Sequence, residues 1–346
     1  MLIVLCLRGV PLHKDFLLAI NKLEITTYLN LGKKYQVRVY KHFLQVEVVV
    51  SSLSKIFIAI LANVSMTLAA ENFIPYACEI GIGYDYFRSL PEGDWEGNTG
   101  GLVDLNACAL VPYLTEYGIG VQGGGSYGVY DWSGRGSSPS GSQTSTQQQA
   151  FVTGAIYRQT PCCSGVNAGI AYDWMWNKNA GVFALDSSIA QLRFQGGYLY
   201  NQTDEWGVWG TLDVLTAHKE SEGIPVSFRA ISQINLYWEH RFANCVRTMI
   251  WAGLPYKKSL MFSSGRAGQY ILGASFRSPL AYGFSIDGHA SYMKGHSASG
   301  SLKQRNYAAN LFIGLTWAFG DQNCGVEPYM PIGNNSNFLT DTNVTF

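Results

Sequence analysis

Ser285, Asp287 and His289 stand two residues apart and are the side-chain types from which nucleophilic hydrolases build their sites. On an extended chain all three share one face, but neighbours two apart lie about 7 Å from each other, too far for a direct relay hydrogen bond along one strand. Adjacent strands would have to complete such a site, and a polar lining for a watery interior accounts for the same residues without any chemistry. The glycines at 123–125, in GGGSYG, look like a phosphate loop, yet no Lys-Ser/Thr and no helical stretch follows them. Glycine inside a strand more simply permits tight curvature and close aromatic packing. No C-x2-C or paired-His spacing indicates zinc. The sequence therefore assigns no catalytic, cofactor-binding or metal-binding residues and reads as a non-enzyme.

Two further sets of residues carry meaning through their number and placement. Beyond Cys6, six cysteines remain: Cys78, Cys108, Cys162, Cys163, Cys245 and Cys324. An even number in an exported chain makes all six disulfide candidates, within the chain or between chains. The adjacent pair Cys162 and Cys163 resists bonding to itself, so each is expected to find a separate partner. The second set is charged: Arg158, Arg193, Arg229, Arg247 and Arg277 beside Glu79, Asp85, Asp104, Asp173, Asp213, Glu239 and Asp287. All fall on the polar face of their segments. Separated into an acidic and a basic wall they would set a transverse field and select small solutes; paired, they would fill and rigidify the interior.

The elements that must position these residues alternate with a period of two. In YAANLFIGLTWAF, residues 307–319, Leu311, Ile313, Leu315, Trp317 and Phe319 lie opposite Asn310, Gly314, Thr316 and Ala318. Residues 228–240 place Phe228, Ala230, Ile234, Leu236 and Trp238 against Arg229, Gln233, Asn235 and Glu239. Leu192, Phe194, Tyr198 and Tyr200 likewise oppose Gln191, Arg193 and Gln195, and Val166, Ile170, Tyr172 and Trp174 oppose Asn167 and Asp173. Twelve such strands are expected at about 77–88, 102–111, 116–131, 148–159, 166–177, 188–201, 204–217, 227–241, 244–254, 267–278, 281–293 and 305–319. Connections between them alternate long and short. Outer-membrane barrels pair short periplasmic turns with long extracellular loops. The expected fold is thus all-β, a transmembrane up-and-down antiparallel β-barrel of about 12 strands.

Composition agrees. Equal numbers of basic and acidic residues, 14% charged and 14% aromatic residues and 38 glycines exclude a nucleic-acid binder and fit neither a helical bundle nor a helical membrane protein. Residues 1–50 share no period with the rest and are expected to reflect a start placed too early or an extended leader. Lys55 followed by the apolar run 56–70 reads as a signal peptide within 51–70, cleaved near Ala69 or Ala70. The barrel then occupies 71–320, and Ser133 to Gln148 forms a low-complexity surface loop.

The segment 321–346 remains, expected as a periplasmic tail, with a thirteenth strand or a segment tucked into the lumen as alternatives. Phe319 stands where the barrel assembly machinery reads a terminal aromatic, although Phe346 ends the chain in a comparable way. With its six cysteines and its ending NFLTDTNVTF, the sequence resembles poorly characterised outer-membrane barrels of chlamydia-like and planctomycete bacteria. That resemblance covers about the last ten residues and implies an outer-membrane location, with no binding residues to carry over. Cysteine-cross-linked envelope proteins are the partners it implies, beside outer-membrane lipid and a homo-oligomer. The functional expectation is porin-like passage of small solutes, with a disulfide-linked structural anchor or surface-loop protein as the alternative and a barrel-embedded hydrolase third.

Overall fold

The computed structural model describes residues 74–88, 97–130, 146–161, 164–180, 185–221, 223–260, 265–295, 307–319 and 328–343. The leader, the signal peptide, most of the 133–148 loop, Cys162, Cys163, Cys324 and Phe346 lie outside them.

Twelve strands close into one antiparallel barrel. In chain order they are β1 (Ile74–Arg88), β2 (Asn98–Leu110), β3 (Ile119–Tyr130), β4 (Gln147–Arg158), β5 (Gly165–Ala180), β6 (Leu185–Tyr200) and β7 (Asp204–Leu215), then β10 (Gln233–Arg241), β11 (Arg247–Pro255), β12 (Gly268–Pro279), β13 (Phe284–Gly295) and β14 (Tyr307–Phe319). Each pairs with its neighbours along the chain, and β1 pairs with β14 in a register running from Cys78↔Phe319 to Arg88↔Ala309, which closes the wall and leaves no edge. Between β7 and β10 the chain forms a hairpin, β8 (Ala217–Ser221) and β9 (Ile224–Ala230). The tail strand β15 (Thr340–Thr342) joins it in a separate three-stranded sheet ordered β15-β9-β8.

The sequence pattern explains the wall. Leu311 and Ile313 are 58% and 55% exposed while Asn310, Phe312 and Thr316 between and beside them are buried, so the large-apolar face of β14 points out. Ile170, Tyr172, Tyr198, Tyr200, Ile234 and Leu236 also point out, as their alternation requires. Aromatic pairs mark both ends of this outer surface. At the short-turn end Trp206 stacks on Trp238 and Phe284 on Trp317; at the long-loop end Tyr292 stacks on Tyr307. Tyr307 and Trp317 on one strand are about 34 Å apart at ~3.4 Å per residue, and a strand tilt of ~45° brings this to about 24 Å, the height of a transmembrane apolar band. The outer surface is built for lipid.

Connections at the short-turn end are tight: Asn201 and Gln202 take φ of 50° and 64°, and Tyr282 and Gly283 take 59° and 81°, consecutive left-handed residues inside connections that span only 201–203 and 280–283. Two sequence expectations need correction. The strand expected over 227–241 is broken at Ile231–Ser232, so Phe228, Arg229 and Ala230 belong to β9 and not to the barrel wall. The long connection expected over 178–187 shrinks to 181–184, because β5 and β6 each reach 16 residues.

Candidate functional site

The lumen is the site, and its own chain occupies it. After β14 ends at the short-turn end, residues 328–343 run back through the barrel towards the long loops. Near the start of this run, the Tyr329 hydroxyl donates to Glu205 Oε1 at 3.2 Å, and the Met330 N–H donates to Gln122 Oε1 at 3.1 Å, with Gln122 Nε2 returning a bond to the Met330 carbonyl. Midway, the Gly333 N–H donates to Thr153 Oγ1 at 2.8 Å, and Asn335 Nδ2 donates to Asp85 and Gln149 at 2.9 and 3.2 Å. At the far end the Ile231 N–H donates to the Leu339 carbonyl at 2.7 Å, and β15 pairs with β9 from Thr340↔Ala230 to Thr342↔Phe228. Asp341 accepts from Ser259 Oγ at 3.0 Å and the Leu260 N–H at 2.8 Å. Burial pushes its carboxyl above the ordinary value of 3.8, against the lowering effect of those donors and Arg229.

Apolar packing follows the same path. Tyr329 and Met330 pack with Cys108, Tyr157 and Ala171; Ile332 and Phe338 with Phe151, Met175 and Ile189; Leu339 with Trp209, Trp251 and Ile271. Each buried apolar cluster of the described residues contains tail side chains. Glycines on the lumen face make room: a Cβ on Gly124 would come 2.8 Å from Ile332 Cγ1, and one on Gly169 would collide with Met330 Sδ. The 321–346 segment is therefore no periplasmic appendage over its described part; it is the core of the barrel.

The charged candidates are sorted by this geometry. Arg193 grips Asp173 with two bonds of 2.8 and 3.0 Å, and Gln191 and Thr153 donate to the same carboxylate at 3.0 and 2.7 Å. Arg193 also donates to the Pro331 carbonyl of the tail. Arg277 lies between Glu79 and Asp287, at 2.7 and 2.5 Å. Arg247 and Arg241 both approach Glu239, at 3.6 and 3.0 Å, and Lys257 pairs with Asp213 at 3.1 Å. Most of the charges pair, some across neighbouring strands, as Arg193 with Asp173 and Arg277 with Asp287, and some over a longer reach, as Arg277 with Glu79; they do not divide into two walls. Two candidates leave the lumen altogether. Arg158, at an outward position of β4, is exposed and donates to the Tyr117 and Val166 carbonyls. Arg229 lies on β9, where it bonds the Lys258 carbonyl and reaches Asp341 at 3.5 Å.

Ser285, Asp287 and His289 do not assemble. Asp287 is taken by Arg277, and His289 stacks on Phe312 at 4.8 Å with its Nε2 buried and unpartnered. Among the disulfide candidates, Cys78 and Cys108 are free thiols. Register sets Ala77 against Cys108 and Cys78 against Ala107, so the two cysteines are on opposite faces of the wall and cannot bond. Cys245 is not a free thiol. No group of three or more His, Cys, Asp or Glu among the described residues is placed to hold a metal ion.

The tail was detectable in one signal the alternation reading passed over. Phe151, Met175, Ile189, Trp209, Trp251 and Met293 occupy positions of inward parity yet are large and apolar. An aqueous lumen has no use for them; an apolar segment inside it does.

Beside the tail a cavity of about 220 Å³ remains, between residues 331–337 and the wall formed by β1–β4, β6, β7 and β11–β14.

These features define a membrane-spanning, twelve-stranded β-barrel whose lumen holds its own C-terminal segment. The chain belongs to a family of unknown function, DUF6666, whose model matches residues 80–340. No curated protein sequence matches it. Solved structures similar in fold include the translocator domain of the autotransporter NalP from Neisseria meningitidis, with 14% identity, a TM-score of 0.41, and coverage of 78% of this chain and 96% of that one. The KdgM porin follows at 6% identity and TM-score 0.39, covering 69% and 99%. Outer membrane phospholipase A from Escherichia coli has 10% identity and TM-score 0.36, covering 71% and 94%.

Proposed function

We propose that this protein is a bacterial outer-membrane barrel closed by its own C-terminal segment, with porin-like passage of small solutes arising when that segment leaves the lumen. The observation that carries this reading is the course of residues 328–343 through the barrel, bonded to β1, β3, β4, β6, β7, β9 and β10 along the way. An apolar outer band between two aromatic belts supports the membrane location. The second reading is a rigid envelope barrel without transport, favoured by the pairing of the lumen arginines with carboxylates. Cross-linking through cysteines at the short-turn end would suit that role.

Planar-bilayer conductance separates the two. The full chain is expected to be silent, and a chain ending after Phe319 to give stable ohmic steps, with heat-modifiable migration reporting that both barrels have closed. Silence from a correctly closed, tail-less barrel would eliminate transport and leave the envelope role; steps of equal size from both chains would refute closure by the tail.

A further inference from the structure

The cavity beside the tail has two unlike walls. On one, cross-strand register places Ser126 against Asp104, Asp104 against Gly81 and Gly81 against Thr316, a single row across β3, β2, β1 and β14. Ser275 of β12 also lines the cavity. Among the described residues, none of the four polar side chains in this set makes a hydrogen bond, and none of their polar atoms is sealed from solvent. Gly81 forms the hollow in which the Asp104 carboxylate lies: a Cβ there would stand 2.7 Å from Asp104 Cγ. On the facing side of the barrel, Trp209 and Trp251 present buried indoles in edge contact at 5.8 Å, with Met249 packed against them. The other charged groups lining the space are already engaged: Arg193 by Asp173, Arg277 by Glu79 and Asp287, Arg247 by Glu239, and Asp85 by Tyr130, Asn310 and Asn335.

We infer that this cavity binds a neutral polyhydroxylated solute of monosaccharide size. Three free hydroxyls can each donate and accept, and an unpartnered carboxylate offers two acceptor oxygens to vicinal hydroxyl groups. A ligand carrying many hydroxyls satisfies that set. A quaternary cation would leave the protein hydroxyl protons unmatched, and an anion would meet Asp104. The indole wall suits the C–H face of a sugar ring, and the cavity volume falls below the ~300 Å³ at which drug-sized pockets begin. The site does not depend on whether the tail-less barrel conducts, because it is formed with the tail in place.

The test uses the full chain in detergent, titrated with D-glucose and separately with tetramethylammonium chloride, followed by saturation-transfer NMR and tryptophan emission. Saturable glucose binding is expected. Asp104→Ala should weaken it by about tenfold or more, the loss of a hydrogen bond to a charged group. Asp104→Asn, which still accepts and donates, should retain most of it, and heat-modifiable migration should stay unchanged in both variants. Absence of saturable glucose binding to the native chain overturns the proposal. So does tetramethylammonium that binds more tightly than glucose, or an Asp104→Ala barrel that migrates normally and binds as before.

Discussion

Asp173 shows at the level of one residue why the lumen is closed. Its carboxylate is buried, and Arg193, Gln191 and Thr153 all donate to it. Opposite charges taken from water together hold only while both remain; removing one strands the other. Arg193→Ala is therefore expected to cost about 3–5 kcal/mol, read as a lower urea midpoint for loss of the heat-modifiable form. The double variant Arg193→Ala with Asp173→Ala should recover a large part of that loss, because no buried charge is left unpaired. Arg193 also donates to the Pro331 carbonyl, so the pair that sequence would place on a conducting wall instead fastens the tail.

At the scale of elements, β15 decides where the tail ends. A three-residue strand is too short to hold by itself, and its stability comes from β9 and from the Asp341 side chain bound by Ser259 and Leu260. Burial raises the Asp341 pKa in the docked state, so docking is most favourable with the carboxyl protonated and weakens as pH rises through the docked value. Amide-exchange protection of Thr340–Thr342, corrected for intrinsic rates, should increase as pH falls from neutral into the carboxylate range. In Asp341→Asn that increase should be absent; an unchanged pH response would show that another group governs docking. The hairpin β8–β9 was read from sequence partly as loop and partly as barrel strand. In β9, Ile224, Val226, Phe228 and Ala230 alternate with Pro225, Ser227 and Arg229 as in a wall strand, and only the break at Ile231–Ser232 separates it from β10, which no composition signal marks.

For the whole molecule, the consequence is one of direction. β1 begins and β14 ends at the short-turn end, while Asn343 lies at the opposite end, where its side chain accepts from the Ser227 N–H at 2.6 Å. A cysteine placed at Asn343 in an otherwise cysteine-free chain should react with a membrane-impermeant maleimide added from the long-loop side of intact cells. Reaction only after the envelope is permeabilised would contradict the threaded course.

The sequence alone determined the barrel wall, because burial in lipid forces a period of two that is visible in each strand, as in 307–319, and because strand and turn lengths follow from that period. Of the lumen charges it missed Glu205 and Arg241, and it placed Arg158 and Arg229 there although one points outward from β4 and the other lies on β9. What fills the lumen was left to the tertiary structure. A segment such as PYMPIGNNSNF has no regular period, and its partners, among them Asp85, Gln122, Thr153, Glu205 and Gln233, are separated from it by up to 250 residues. The polar contacts leave no local trace in either partner, and large apolar residues of inward parity, such as Phe151 and Trp209, show that the lumen is filled without showing by what. Only closure of the wall brings the polar partners within hydrogen-bond distance, and it is that closure which turns an expected tail into a plug.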